Sequence, residues 1–84
     1  MRARRTDATQ KAIAAAFRQL GWKVIDLSAV GKGCPDLMIS RAGTVRLIEC
    51  KTDKGKLTPA QQERIAEGWP VQIVRRVEDA AEVR

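Results

Sequence analysis

The 84-residue sequence predicts one α/β domain whose elements run in the order α-β-β-β-α-β. Three observations carry that expectation. Two segments place apolar residues at helical spacing behind capping signals. Four short runs rich in Val, Ile and Leu are bounded by Gly, Pro and polar residues. Two of those runs are separated by Ala42-Gly43 alone, and a two-residue connection between apolar runs calls for an antiparallel hairpin.

Residues 1–6 are basic and are expected to form a loose arm. Asp7 and Gln10 have capping-box spacing, so the first helix should start near Thr6. Its apolar face is read as Ile13, Ala16, Phe17 and Leu20, and Gly21 closes it. Trp22 to Leu27 has strand composition, and Ser28 to Pro35, with Gly31 and Gly33, is a loop. Asp36–Ser40 and Thr44–Lys51 form the hairpin, followed by a polar loop from Thr52 to Lys56. Thr58-Pro59-Ala60-Gln61 is a helix entry: Thr caps, Pro takes the first helical position, and Gln lies three residues after the cap. That helix should end at Gly68, with Pro70–Val74 as the last strand. Val77 to Val83 is read as a short terminal helix, the least defined element.

A chain of this size buries only about 60–65% of its unfolded surface, so its own core is marginal. Folds so placed usually recruit a disulfide, a metal or a second subunit. Cys34 and Cys50 are too few for a disulfide framework and lack zinc-type spacing. The sequence contains no histidine, which excludes Ser-His-Asp and Cys-His catalysis and every histidine metal site. The net charge of +6 favours an anionic partner, nucleic acid being the commonest, against the plainer reading of a charge that serves solubility. No apolar run suits a membrane span or a signal segment, and a soluble cytoplasmic protein is expected.

The chemistry is read at the ends of the hairpin. Asp36 opens one strand and Glu49 lies near the end of its partner, so an antiparallel pairing brings the two acids together. Converging carboxylates are costly unless a cation neutralises them, and oxygen-rich sites suit Mg²⁺ or Mn²⁺. Lys51 lies two residues beyond Glu49 and shares its strand face. A metal held by Asp36 and Glu49 could activate water for phosphodiester hydrolysis, while Lys51 orients that water or stabilises charge on the phosphate. The Cys50 backbone carbonyl is a further candidate ligand, with its thiol facing the core. Taken singly, Asp after Pro is a turn residue and Glu-x-Lys a solvated strand face. Their apolar flanks, Leu37-Met38-Ile39 and Leu47-Ile48, favour the joint reading.

Gly33-Cys34-Pro35-Asp36-Leu37, Leu47-Ile48-Glu49-Cys50-Lys51 and Leu57-Thr58-Pro59-Ala60-Gln61 together resemble the virus-type replication–repair nuclease (VRR-NUC) branch of the PD-(D/E)XK superfamily. The resemblance spans nearly the whole chain. It implies a restriction-endonuclease-like αβββαβ core, a mixed four-stranded sheet flanked by helices, and Mg²⁺- or Mn²⁺-dependent cleavage of DNA. By position it makes Asp36 and Glu49 metal ligands, Lys51 the catalytic lysine and Gln61 a site residue on the second helix. Gln61 is equally the capping partner of Thr58, both roles being compatible, with Gln62 as fallback. Relatives often carry a glutamate near the start of the first helix. Here Asp7 and Gln10 stand in its place, leaving open whether one metal or two would bind.

Lys32, Lys54 and Lys56 flank the motifs and are preferred as DNA contacts over Arg75 and Arg76, although each alone could be a solvated charge. Trp22 and Trp69 suit core or subunit packing better than base stacking. The resemblance further implies a homodimer that pairs two active sites on branched DNA such as a Holliday junction, in a bacterial, phage or prophage setting. The rival reading is a nucleic-acid-binding module that keeps the fold without catalysis.

Overall fold

The computed structural model describes residues 5–84, with side chains described from residue 8 onward. Residues 1–4 of the expected basic arm lie outside the described residues, and so does the side chain of Asp7. Helix α1 spans Arg5–Gln19, followed by strands β1 (Lys23–Asp26), β2 (Leu37–Arg41) and β3 (Thr44–Cys50). Helix α2 (Pro59–Ala66), strand β4 (Val71–Val74) and a 3₁₀ turn over Val77–Glu82 complete the chain. The α-β-β-β-α-β order therefore holds, and the terminal segment forms the tighter 3₁₀ helix.

Helix α1 starts before the expected capping box. Asp7 lies inside the helix and is not its N-cap, since Arg5, a good helix former, already has helical backbone. Gln10 reaches across to β1 instead, its amide donating to Asp26 Oδ2 at 3.1 Å.

The sheet order is β1-β2-β3-β4. The first three strands are antiparallel neighbours, and β4 joins β3 in parallel, which makes the sheet mixed. The hairpin turn is Ala42-Gly43, with φ of 50° and 81°. Two successive left-handed residues are what a tight I′-type connection requires. Alanine tolerates this at a cost of about 1 kcal/mol, which the aligned strands offset.

The two faces of the sheet are treated unequally. On one, Leu37, Ile39, Ile48, Cys50 and Val74 meet Ile13 and Phe17 of α1, with Ala80 of the 3₁₀ turn closing the cluster. Trp22 belongs to this core, edge-on to Phe17 at 6.2 Å, with the Arg41 guanidinium stacked 4.3 Å from its ring. Leu20, expected on the buried face of α1, is instead exposed, while Ala14 is buried. The other face carries Ile25, Met38, Val45, Leu47, Glu49 and Ile73 by strand alternation. Helix α2, the loop before β2 and Trp69 approach that face around Leu47, and α2 buries no residue of its own. Ile25, Val45 and Trp69 are each more than half exposed.

Gly33 fixes how that loop meets α2. Its φ is +80°, and a Cβ there would lie 2.3 Å from the Ala60 carbonyl oxygen, so loop backbone rests directly on the first turn of the helix. Gly31 has a similar φ of +72° with nothing within 4 Å of a Cβ. Gly33→Ala should therefore cost roughly 2–4 kcal/mol in urea unfolding, against about 1 for Gly31→Ala. Equal losses would show that the loop-to-helix contact is soft.

Candidate active site

Pro35 is buried and delivers the chain into the bend at Asp36, one residue before β2. The Asp36 carbonyl accepts a hydrogen bond from the Leu27 amide at 2.7 Å, tying the two ends of the preceding loop. Its side chain turns toward β3, where Oδ2 accepts the Cys50 amide at 2.8 Å. In the plane of a strand the N–H and C=O of one residue point to the same side. The Cys50 carbonyl therefore opens on the side of Asp36 as well.

Glu49 faces away from the core formed by its neighbours Ile48 and Cys50, yet is only 2% exposed. Its Oε2 accepts the Gln61 side-chain amide at 3.0 Å and lies 3.8 Å from Lys51 Nζ. Lys51, on the same face, is anchored through its own amide to the Val74 carbonyl of β4 at 3.1 Å. Burial pushes the Glu49 carboxyl up to about 8. The facing Asp36 carboxyl adds to the rise through hydrogen bonding and like charge, while Lys51 works against it. Asp36, Glu49, Lys51 and Gln61 are thus brought together.

Gln61 bonds with both Thr58 and Glu49. Its Oε1 accepts the Thr58 amide at 2.9 Å and its own amide meets the Thr58 hydroxyl at 3.2 Å, forming the capping box. The other end of the same side chain holds Glu49. Gln62 turns back to the Leu57 carbonyl. Cys50 puts its sulfur in the core, where burial, then the charges of Asp36, Glu49 and Asp26, push the thiol up to about 12. With its sulfur on the core side of the sheet, Cys50 presents only its backbone to the face that carries Glu49.

Gln10 donates to Asp26 Oδ2 at the end of β1. The Ser28 hydroxyl and amide both donate to Asp26 Oδ1 and hold its carboxyl below the usual range. Sequence reading passed over Asp26. The signal was available in Asp26-x-Ser28, an Asx-type turn closing a strand just before the glycine-rich loop. Lys32, Lys54 and Lys56 are all exposed. Arg76 pairs with Asp53, and Arg75 is engaged with backbone.

Two carboxylates and a carbonyl make an all-oxygen donor set, which fits a hard divalent cation that keeps several waters. Glu49, buried beside Asp36 with Lys51 at 3.8 Å, forms an acid pair whose like charges a bound cation would offset. Among the described residues no three Asp, Glu, Cys or His side chains gather into one cluster. No described helix is long and apolar enough to cross a membrane.

A family model for the VRR-NUC domain matches residues 3–68, a span containing Asp36, Glu49, Lys51 and Gln61. A solved structure described as a VRR_NUC domain matches with a TM-score of 0.74 at 26% identity, over 95% of this chain and 94% of that one. A search of curated proteins finds no match. With most of its length covered by the family model and its mixed sheet shared with a solved member, the chain belongs to the VRR-NUC domain family, which has a nuclease-type fold.

Proposed function

We propose that the protein is a metal-dependent DNA endonuclease of a single domain, hydrolysing phosphodiester bonds in branched DNA such as a Holliday junction and acting as a homodimer. The observation that carries the reading is Glu49, a carboxylate buried against a second carboxylate with a lysine at 3.8 Å. A module that only binds DNA has no use for two acids aimed where phosphate must approach, and this disfavours the rival reading.

Asp36, Glu49 and the Cys50 carbonyl are the groups that would hold Mg²⁺ or Mn²⁺, and one ion matches two carboxylates. When bound, such an ion polarises the phosphate and lowers the pKa of a water. Gln61 pins Glu49 through Oε2 and so fixes the orientation of the carboxylate toward the ligand. The Cys50 amide does the same for Asp36 by occupying Oδ2. Lys51 Nζ donates to the attacking water or to a phosphate oxygen and so stabilises charge that develops in the transition state. Hydrolysis adds water across one P–O bond, leaving a phosphate monoester and a hydroxyl. Lys32, Lys54 and Lys56, which flank the motifs along the chain, would serve as phosphate contacts, while Asp7 and Gln10 remain the additional candidates on α1.

Support for the homodimer comes from the half-bare sheet face. The row Ile25-Met38-Leu47-Val71 crosses it, Val45 lies to one side and Glu49 to the other. An apolar patch beside the acids would let a twofold axis set two sites near one another, which suits paired cuts. Analytical ultracentrifugation should give twice the 9.3 kDa chain mass, and Val45→Asp, at a half-exposed position, should return the monomer. A wild type that stays monomeric at about 100 μM would dismiss this assembly.

Wild-type protein incubated with a four-way junction, a flap and linear duplex should cleave with Mg²⁺ or Mn²⁺ and not with EDTA. Asp36→Asn, Glu49→Gln and Lys51→Ala should each lower kcat by about 10²-fold or more while the fold persists. Absence of cleavage of every substrate would return the rival reading.

Metal-free protein should also lose stability with rising pH. Glu49 binds its proton more tightly folded (about 8) than unfolded (4.5), so its stabilising protonation is complete at low pH and is lost between those values. The limiting slope is about 1.4 kcal/mol per pH unit. Urea unfolding in EDTA at pH 5 and 8 should show this decline in the wild type, with a much smaller one in Glu49→Gln. A decline of the same size in both would place its origin elsewhere.

A further inference from the structure

Arg75, the residue after β4, looks by sequence like one of several basic residues available to DNA. Its surroundings say otherwise. One guanidinium nitrogen, Nη1, donates to the carbonyls of Thr52 and Gly55, each at 2.7 Å, and lies 3.4 Å from that of Asp53. These carbonyls belong to the loop that begins directly after Lys51. The loop closes on itself through the Gly55 amide and the Thr52 carbonyl at 3.1 Å. Outside it, Arg76 Nε pairs with Asp53 Oδ1 at 2.8 Å, an exposed contact that adds little by itself.

The loop has a particular burden. Strand β3 ends at Cys50, so Lys51 is the first residue beyond the strand and hands the chain to the loop. At the loop's far end stands Thr58, cap of the helix that carries Gln61. Lys51 and Gln61 converge on the same oxygen, Glu49 Oε2, at 3.8 and 3.0 Å. The shape of residues 52–57 therefore sets where two of the three groups around Glu49 stand relative to each other. Convergent carbonyls repel one another, and a cation donating to all of them holds the turn closed. Val74, just before Arg75, supplies the carbonyl that accepts the Lys51 amide, so the end of β4 holds both Lys51 and the loop residue that follows it, Thr52.

We infer that Arg75 is a positioning residue for the site, clamping the 52–55 loop so that Lys51 and Gln61 meet Glu49, and that it is not a phosphate contact. The inference rests on the nuclease reading for its kinetic consequence but not for the clamp itself. Arg75→Gln and Arg75→Lys are compared with Asp53→Ala, which removes only the outer ion pair. Amide hydrogen exchange over residues 53–56 reads the clamp without any activity. Exchange there should quicken in Arg75→Gln, less so in Arg75→Lys, and scarcely in Asp53→Ala. Under the cleavage assay, Arg75→Gln should lose about tenfold or more in kcat with KM changed by no more than about twofold. Arg75→Lys should recover part of the loss, and the slope of log Kd against log salt should match the wild type.

Unchanged loop exchange in Arg75→Gln would overturn the clamp. A salt slope smaller by about one, with kcat intact, would instead make Arg75 a phosphate contact. Should Arg75→Gln fail to fold, Arg75→Lys is judged by the same exchange and kinetic criteria. A wild type that cleaves nothing would overturn the nuclease reading while leaving the exchange result to judge the clamp.

Discussion

Taking the Glu49 carboxylate out of water beside the Asp36 carboxylate is the most costly local arrangement in the described structure, and much of the nearby geometry exists to make it tolerable. One oxygen of each acid is occupied by a donor: the Cys50 amide on Asp36, the Gln61 amide on Glu49. Lys51 supplies partial charge compensation from 3.8 Å. Each of these donors comes from a different kind of element, a strand, a helix and a strand end. The acid pair consequently depends on the sheet register, on the placement of α2 and on the loop between them at once. Burial and the facing Asp36 carboxyl together push the Glu49 carboxyl above the usual carboxylate range.

The sheet divides its labour by face. The face under α1 contains nearly all the buried apolar side chains, and the stability of so short a chain must come mainly from there. The opposite face holds the acids, the lysine and a stripe of half-exposed aliphatic residues. Chemistry and fold are thus only one peptide apart along β3: Ile48 and Cys50 look one way, Glu49 and Lys51 the other. Strand alternation alone achieves this, which is why a site can be built in 84 residues without a separate scaffold.

That alternation is also why so much was legible in the sequence. Pro35-Asp36, Glu49-x-Lys51 and the Thr58-Pro59 helix entry are local patterns, and the short turn at Ala42-Gly43 fixed the register that joins the first two. What escaped was non-local. The early start of α1 and the crossing of Gln10 to Asp26 depend on how the helix lies over β1, which periodicity does not encode. Arg75 offers no pattern at all, since its meaning resides in three carbonyls twenty or more positions earlier. The two tryptophans look equivalent by sequence, each following a helix-ending glycine, and only packing separates buried Trp22 from exposed Trp69.

Gln61 serves the helix with one end of its side chain and the acid pair with the other. Considered only as a capping partner, glutamate would do as well in that position and is an equally common choice. A third carboxylate against Glu49 would, however, deepen the very repulsion that the amide relieves. The choice of amide over acid is thus dictated from across the molecule, and the helix accepts it without loss. An α2 optimised in isolation would have no means of making that choice, so the start of this helix records the chemistry of the strand it covers.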